Sequence, residues 1–251
     1  MARALNLLRA SVHYRRECFD QGLQAAGFKL VPALADPRPG DLLVIWNRYG
    51  GFHEQAQIFE RAGAGVLVVE NGLLGKNWRG GEWFSLSLGH CAGAGEFKPA
   101  GPERWDGWGV PLAPWRTGGR ETVIFGQRGI GESGVASPPV WAEGVQRRIG
   151  GRIRPHPGQG PAKALAVDLA DARDVVTWHS AAALQALLLG VAVWFDCPTW
   201  IGAGAARPLA EWPGQPKRDD GSRLEMFRRL AWCCWTLDEI KTGEPIERLL
   251  R

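Results

Sequence analysis

The stretch GVLVVENG, residues 65–72, places four branched apolar residues between a glycine and the polar pair Glu70-Asn71. A short apolar run that ends at turn residues is typical of a buried strand in a parallel sheet. Further apolar runs lie at residues 4–8, 29–31 and 41–46, and helical patterns lie at residues 14–26 and 53–62. This alternation predicts an open α/β layer in the first half of the chain.

The second half of the chain restarts the alternation. Strands are predicted at residues 121–125, 151–154, 175–178 and 191–195, and helices at residues 139–148, 161–166 and 180–189. The sequence therefore predicts an α/β protein with two Rossmann-like layers in tandem. The segment 95–119 is rich in glycine, proline and tryptophan and is predicted to connect them. The predicted domains are residues 1–117 and 118–225. The remaining segment, 226–251, includes most of a helical pattern at 223–240 and is expected to pack back on the first domain.

The composition is that of an ordinary globular chain, with 251 residues, 45% hydrophobic and 22% charged. The net charge of +4 is shared equally by the two halves, so no basic tail is present to grip nucleic acid, although a weakly positive field attracts anionic ligands. The five cysteines are scattered and lack the spacing of a zinc site or a disulfide framework. With no secretory signal and no apolar run long enough to span a bilayer, the sequence predicts a cytoplasmic protein.

Parallel sheets bind ligands beyond the carboxyl ends of their strands, so the residues after each predicted strand are candidates for a site. Glu70 and Asn71 follow the run at 65–69, and Gly72 lets the backbone turn. A carboxylate there is placed to act as a general base on an acceptor hydroxyl. The alternative is that Glu70 only caps the turn or pairs with Lys76. Asn47 and Arg48 follow the preceding strand and are predicted to line the acceptor side.

The first predicted strand of the second half ends in Gly126, Gln127 and Arg128, within a stretch of nine residues that holds four glycines. Such a loop exposes backbone N–H groups that form an anion nest, and an arginine fork suits phosphate. The glycine spacing is neither that of a Walker loop nor that of a dinucleotide fingerprint. The alternative is a flexible connector.

Two more strand ends carry polar groups suited to phosphate. His156 stands between Pro155 and Pro157, which restrict its backbone, and a rigid imidazole suits hydrogen bonding to a diphosphate or protonation of a leaving phosphate. Thr177 and Ser180 precede the helical pattern at 180–189, and a helix N-terminus beginning with serine is an anion site. The alternatives are a structural histidine and simple capping.

Four motifs occur in an order that resembles the capsule-polysaccharide glycosyltransferases, which include the Kdo transferases, and more remotely the polysialyltransferases and CDP-glycerol polymer synthases. The resemblance extends over most of residues 41–244, including the helical ending at 230–244. The motifs are Glu70-Asn71-Gly72, Gly126-Gln127-Arg128, His156-Pro157, and the set Thr177, Ser180, Leu184, Ala186 and Gly190.

The resemblance implies a GT-B architecture, with a nucleotide-sugar donor held by the second domain and neither a metal nor another cofactor required. It also implies that His156 and Ser180 contact the donor phosphates and that Glu70 activates the acceptor. The Kdo transferases carry Glu-Asp-Gly at the first motif, where the aspartate is the nucleophile of a retaining reaction. Because the amide of Asn71 is a poor nucleophile, we expect direct displacement, with Glu70 as base and His156 assisting the leaving nucleotide.

The acceptor is left open between two classes. A saccharide or glycolipid follows the resemblance, whereas a hydroxymethylated pyrimidine in phage DNA suits a compact basic protein. A DNA acceptor requires a phosphate-gripping surface, for which Arg48, Arg79 and Lys76 are candidates. A different class of function is a nucleotide- or sugar-binding module that has lost catalysis, which Asn71 also suggests.

Overall fold

The computed structural model describes residues 1–91, 94–96, 101–158 and 163–251. The chain divides into two compact units, residues 1–100 with 231–251, and residues 101–230. The strands are β1 Arg3–Asn6, β2 Lys29–Leu30, β3 Leu42–Trp46, β4 Gly65–Asn71, β5 Trp83–Leu88, β6 Glu121–Phe125, β7 Arg152–Arg154, β8 Ala172–Thr177, β9 Ala192–Phe195, β10 Arg207–Pro208 and β11 Cys234–Thr236. The α-helices are α1 Arg16–Ala25, α2 Gly51–Arg61, α3 Glu103–Trp108, α4 Trp141–Ile149, α5 Leu165–Asp168, α6 Ala181–Leu188, α7 Asp220–Ala231, α8 Leu237–Lys241 and α9 Glu244–Leu250.

The first unit is built on a six-stranded sheet in the order β11-β5-β4-β3-β1-β2. Strands β2, β1, β3 and β4 run parallel, whereas β5 pairs antiparallel with β4 and β11 antiparallel with β5. One face of the sheet packs on α2, and the other packs on α1, α8 and α9. The predicted α/β layer is therefore present, and the carboxyl ends of β1, β3 and β4 lie at one edge.

The second unit is built on a five-stranded sheet, all parallel, in the order β10-β9-β8-β6-β7. Its central strands are almost completely buried, which explains their continuous runs of valine, isoleucine and phenylalanine. The predicted helix at 161–166 falls partly on residues 159–162, outside the described residues, and α5 begins at Leu165. Both units are thus mixed α/β and Rossmann-like, with neighbouring strands that end at a common edge.

The segment predicted to connect the domains belongs to the second unit from residue 101 onward. Trp105 stacks on Phe227 at 4.8 Å between ring centroids. The backbone N–H groups of Ala113 and Arg116 donate to the carbonyls of Leu188 and Gly190. These contacts dock the segment beside α6, so the unit boundary lies near residue 100, earlier than the predicted 117.

The helical pattern at 223–240 is interrupted, so the prediction of one helix there is wrong. Helix α7 ends at Ala231, β11 follows, and α8 begins after Thr236. The side chain of Thr236 accepts from the N–H of Glu239, and Glu239 accepts from the N–H of Thr236, a capping box that starts a new helix. Residues 231–251 pack with the first unit. Among the described residues, no helix has the length and apolar character needed to cross a membrane.

Candidate active site

Glu70 and Asn71, which were predicted to follow the strand at 65–69, are the last two residues of β4, and they project to opposite faces of the sheet. Val66 and Val68 pack in the core on the α2 side, whereas Leu67 and Val69 pack in the core under α1. Side chains alternate along a strand, so half-buried Glu70 lies on the α2 face and exposed Asn71 on the α1 face. Adjacent in sequence, the two groups are therefore not a pair acting on one atom.

The turn after β4 explains the glycine of the first motif. Gly72 donates its N–H to the carbonyl of Trp83 at 2.8 Å and accepts from the N–H of Gly75 at 2.9 Å. A Cβ atom on Gly72 would lie only 2.6 Å from the Cβ of Trp83. The chain can therefore leave β4 and return as β5 only because no side chain is present at this position.

Asn47 and Arg48 follow β3, the neighbour of β4, and both are buried. Asn47 has a left-handed backbone with φ 59°, and its N–H donates to the carbonyl of Val69. The guanidinium of Arg48 holds both carboxylate oxygens of Glu60, at 2.6 and 2.7 Å, and donates to the carbonyl of Gly89. Arg48 therefore fixes the loop after β3 to α2, and its charge is neutralised inside the unit.

Lys76 lies beside His13, a histidine that was not among the predicted site residues. Its ammonium is 3.2 Å from Nδ1 of His13 and 3.8 Å from a carboxylate oxygen of Glu82. The ring of His13 contacts those of Tyr14 and Trp46, with centroids 4.7 and 5.5 Å away. His13 follows β1, whose carboxyl end shares the edge with β3 and β4, so the rule that selected the other strand ends applies equally to it.

In the second unit, the loop after β6 lies at the carboxyl edge, between the ends of β7 and β8. Gly126 donates its N–H to the carbonyl of Arg154, and a Cβ there would lie 3.3 Å from that oxygen, so this glycine permits close approach to the end of β7. Gln127 reaches the other way, to His179 after β8. Arg128 is exposed. The loop thus links the ends of three neighbouring strands.

His156 follows β7 and is held in one tautomer. Its Nδ1 accepts the N–H of Gly158 at 3.0 Å, beyond the exposed Pro157, so the proton of the neutral ring is on Nε2. Burial lowers the pKa of His156 below its usual value, and the charges of Arg128 and Arg154 lower it further. At neutral pH the ring is an uncharged N–H donor, which suits a hydrogen bond to phosphate better than transfer of a proton.

The start of α6 is organised by two hydroxyl groups. Thr177 is fully buried, and its Oγ1 accepts the N–H of Ser180 at 2.9 Å. Ser180 in turn caps α6 by accepting the N–H of Ala182 at 3.2 Å. Thr177 therefore positions Ser180, and Ser180 stands where the helix dipole favours an anion.

Two of the arginines near β7 are used within the protein. Arg154 is buried, and its Nε donates to Asp168 at 2.6 Å. Arg152 contacts the same aspartate at 3.2 Å and Glu121 at 3.0 Å. Among the described residues, no group of three or more histidine, cysteine, aspartate or glutamate side chains is arranged to hold a metal ion.

Tryptophans fasten the strand-end loops of this unit to one another. The indole of Trp178 donates to the carbonyl of Val135 at 2.7 Å, and that of Trp141 donates to Asp196 at 2.8 Å. The two indole rings meet edge to face at 6.0 Å. The loops after β6, β8 and β9 are therefore connected through these side chains.

Comparison with solved structures shows a likeness along the chain. The β-Kdo 2,7-transferase of Thermosulfurimonas dismutans KpsC matches with a TM-score of 0.59 and 12% identity, over 100% of this chain and 99% of that one. The β-Kdo 2,4-transferase of the same organism's KpsC matches with a TM-score of 0.55 and 14% identity, over 92% and 90% of the two chains. No family model matches the sequence, and no curated protein is significantly similar to it. At these identities the likeness concerns the fold alone, and both of these similar structures are glycosyltransferases.

Proposed function

We propose that the protein is a glycosyltransferase of GT-B architecture that moves a sugar from a nucleotide-sugar donor to an acceptor hydroxyl. The observation that carries the proposal is the set of groups at the carboxyl edge of the second sheet. Three neighbouring strands, β7, β6 and β8, end there in His156, Gln127 and the Ser180 cap of α6. Neutral N–H donors and a helix N-terminus suit a diphosphate. The fold likeness to two Kdo transferases supports this class.

In the proposed reaction, Glu70 takes the proton of the acceptor hydroxyl as its oxygen bonds to the anomeric carbon. The bond from that carbon to the donor phosphate oxygen breaks, and its electron pair leaves with the nucleotide. The Nε2–H of His156 stabilises the charge that develops on the phosphate. Asn71, on the opposite face from Glu70, takes no covalent part, so a single displacement with inversion is expected.

We propose a saccharide as the acceptor. Arg48, one of the cations considered for gripping DNA, is buried and paired with Glu60, so it does not offer its charge to a phosphate backbone. Lys76 lies between His13 and Glu82, and the ring of His13 contacts that of Trp46, the last residue of β3. Aromatic rings with nearby polar groups suit the faces and hydroxyls of a sugar.

The test is incubation of the purified protein with labelled CMP-, UDP-, GDP- and ADP-sugars, offered with saccharide acceptors or with hydroxymethylated DNA. The proposal predicts release of nucleotide from one donor and labelling of a saccharide, with little dependence on salt. Labelling of the DNA that weakens steeply with salt would reassign the acceptor. Bound nucleotide without hydrolysis or transfer from any donor would instead identify a binding module.

A further inference from the structure

The side chain of Gln127 is oriented by its contacts with His179, and this orientation fixes the proton on the histidine. The Oε1 atom of Gln127 accepts the backbone N–H of His179 at 2.8 Å. The amide nitrogen therefore faces Nδ1 of the same residue, at 3.3 Å. An amide NH₂ group only donates, so Nδ1 accepts and the proton of the neutral ring is on Nε2.

That Nε2–H group is buried and has no hydrogen-bond partner among the described residues. Leaving a buried donor unsatisfied costs about 1–3 kcal/mol. Burial lowers the pKa of His179 below its usual value and outweighs backbone hydrogen bonding at His179 and Val135, which acts in the opposite direction, so the ring does not escape this cost by becoming charged at neutral pH. Unsatisfied donors of this kind are rare in folded proteins and call for a partner.

The surroundings of His179 indicate an anionic oxygen as that partner. His179 immediately precedes the Ser180 cap of α6, where the helix dipole is positive. Its neighbour Trp178 is tied to Val135, so the glycine-containing loop 126–135 stays close to the ring. Three glycines of this loop, at 129, 131 and 134, have positive φ, a backbone that other residues rarely adopt.

We propose that His179 binds the donor diphosphate through Nε2–H, with Gln127 as the positioning residue that sets its tautomer. This proposal rests on the proposed function and adds a residue to its donor site. His156 and His179, on either side of Gln127, then present two Nε2–H groups from the ends of β7 and β8. The Nε2 atom of His179 is covered in the structure, so binding of a diphosphate there requires the groups around the ring to move.

Two substitutions at His179 separate the role of each nitrogen. Gln in place of His179 keeps an amide donor near the Nε2 position, whereas Asn keeps a group near Nδ1 and removes the Nε2 donor. With pyrophosphate, CDP and UDP as probes in calorimetry, His179→Asn is expected to weaken binding about 10- to 100-fold, the loss typical of a hydrogen bond to a charged group. His179→Gln is expected to recover most of the affinity.

The tautomer is read directly by nitrogen-15 NMR of the histidine rings. The proposal predicts a protonated Nε2 on His179 whose proton signal moves on addition of pyrophosphate. Gln127→Glu, whose carboxylate favours a proton on Nδ1, is expected to change the tautomer and weaken binding without loss of thermal stability.

The outcomes separate the two proposals. Equal diphosphate affinity of the wild type and His179→Asn, or a His179 ring that carries its proton on Nδ1, would overturn the role of His179 and leave the glycosyltransferase proposal standing. Failure of the wild type to bind any of the probes or to transfer sugar from any donor would overturn both.

Discussion

At the residue scale, Gly72 is the point where the absence of a side chain decides the local structure. Alanine at this position would place a Cβ atom 2.6 Å from the Cβ of Trp83, so β4 and β5 would have to separate. We expect Gly72→Ala to lower the free energy of unfolding by about 1–3 kcal/mol, measured by urea denaturation. Gly51→Ala, where nothing lies within 4 Å of the added atom, is the control and should cost little. Equal effects of the two substitutions would contradict the proposed packing.

Arg48 provides a second test, because it was predicted to line the acceptor side but is paired with Glu60 in the structure. Its guanidinium is buried and bridges Glu60 and the carbonyl of Gly89. Arg48→Met should therefore destabilise the protein by about 1–3 kcal/mol, since the bonds of a buried guanidinium to Glu60 and to the carbonyl of Gly89 are lost. Arg120→Met, which removes an exposed pair with Asp171, should cost less than about 1 kcal/mol. Weaker acceptor binding by Arg48→Met with an unchanged unfolding midpoint would contradict a structural role for Arg48.

Asp41 makes the stability of the first unit depend on pH. Hydrogen bonds from the Arg3 side chain, and backbone N–H groups of Arg3 and Arg38, hold the pKa of Asp41 at about 2, against an ordinary value of 3.8. Because the pKa is lowered in the folded state, ionised Asp41 stabilises the fold fully above pH 3.8. This stabilisation is lost as the pH falls through 2.

The contribution of Asp41 is about 2 kcal/mol at neutral pH. In urea denaturation, Asp41→Asn should lower the free energy of unfolding by most of this amount at pH 7, and by less at pH 3. Asp238→Asn, at a carboxylate that is 91% exposed, controls for the change in net charge. A difference between Asp41→Asn and the wild type that is the same at both pH values would contradict the linkage.

Which site residues could be predicted from sequence depends on how local their environment is. Glu70 lies at the end of a strand and Gln127 and His156 follow strands, so their place at a sheet edge is set by neighbouring residues. The pairing of Arg48 with Glu60, and of Gln127 with His179, depends on how distant segments pack, which no local pattern contains. His13 lies between these two cases. The strand before it was predicted, but its neighbour Lys76 lies in the distant turn after β4.

At the element scale, the segment 101–117 is part of the second unit because of what it packs against. The guanidinium of Arg223 lies 3.9 Å over the ring of Trp115, and Gly190, with φ +76°, accepts the N–H of Arg116. A Cβ atom on Gly190 would overlap the carbonyl oxygen of Pro114. Substitution at Gly190 should therefore affect both the backbone conformation and this docking.

We expect Gly190→Ala to destabilise the protein by about 2 kcal/mol or more and to expose residues 113–116 to hydrogen exchange. Gly134→Ala is the matched control, because Gly134 also has positive φ but nothing lies within 4 Å of the added atom. It should show only the conformational cost, about 1 kcal/mol. The docking is refuted if residues 113–116 exchange equally in both variants.

Strands β5 and β11 show why some elements escape prediction. The residues of β11 continue the helical periodicity of α7, yet they pair with β5, far away in sequence. In β5, Ser85 and Ser87 are buried where a core strand would be expected to carry apolar residues. Tertiary pairing overrides local pattern in both, whereas the parallel strands other than β10 were predicted close to their observed positions.

At the scale of the whole molecule, two Rossmann-like units each place polar groups at the carboxyl ends of parallel strands. This arrangement was predictable, because apolar runs separated by helical patterns specify it directly. The fold is shared with two Kdo transferases at only 12% and 14% identity. A fold is kept by its pattern of buried residues, whereas function depends on a few groups, so the chemistry has to be tested at those groups.

The central claim, that Glu70 is the base of a glycosyl transfer, is tested most directly by the kinetics of Glu70→Gln with the donor found active. The account predicts that kcat falls about 10²- to 10⁴-fold, because the amide does not accept the proton, while donor affinity stays within about threefold of the wild type. Glu225→Gln, at a 69% exposed carboxylate, should transfer at the wild-type rate. Transfer by Glu70→Gln at the wild-type rate would contradict the account.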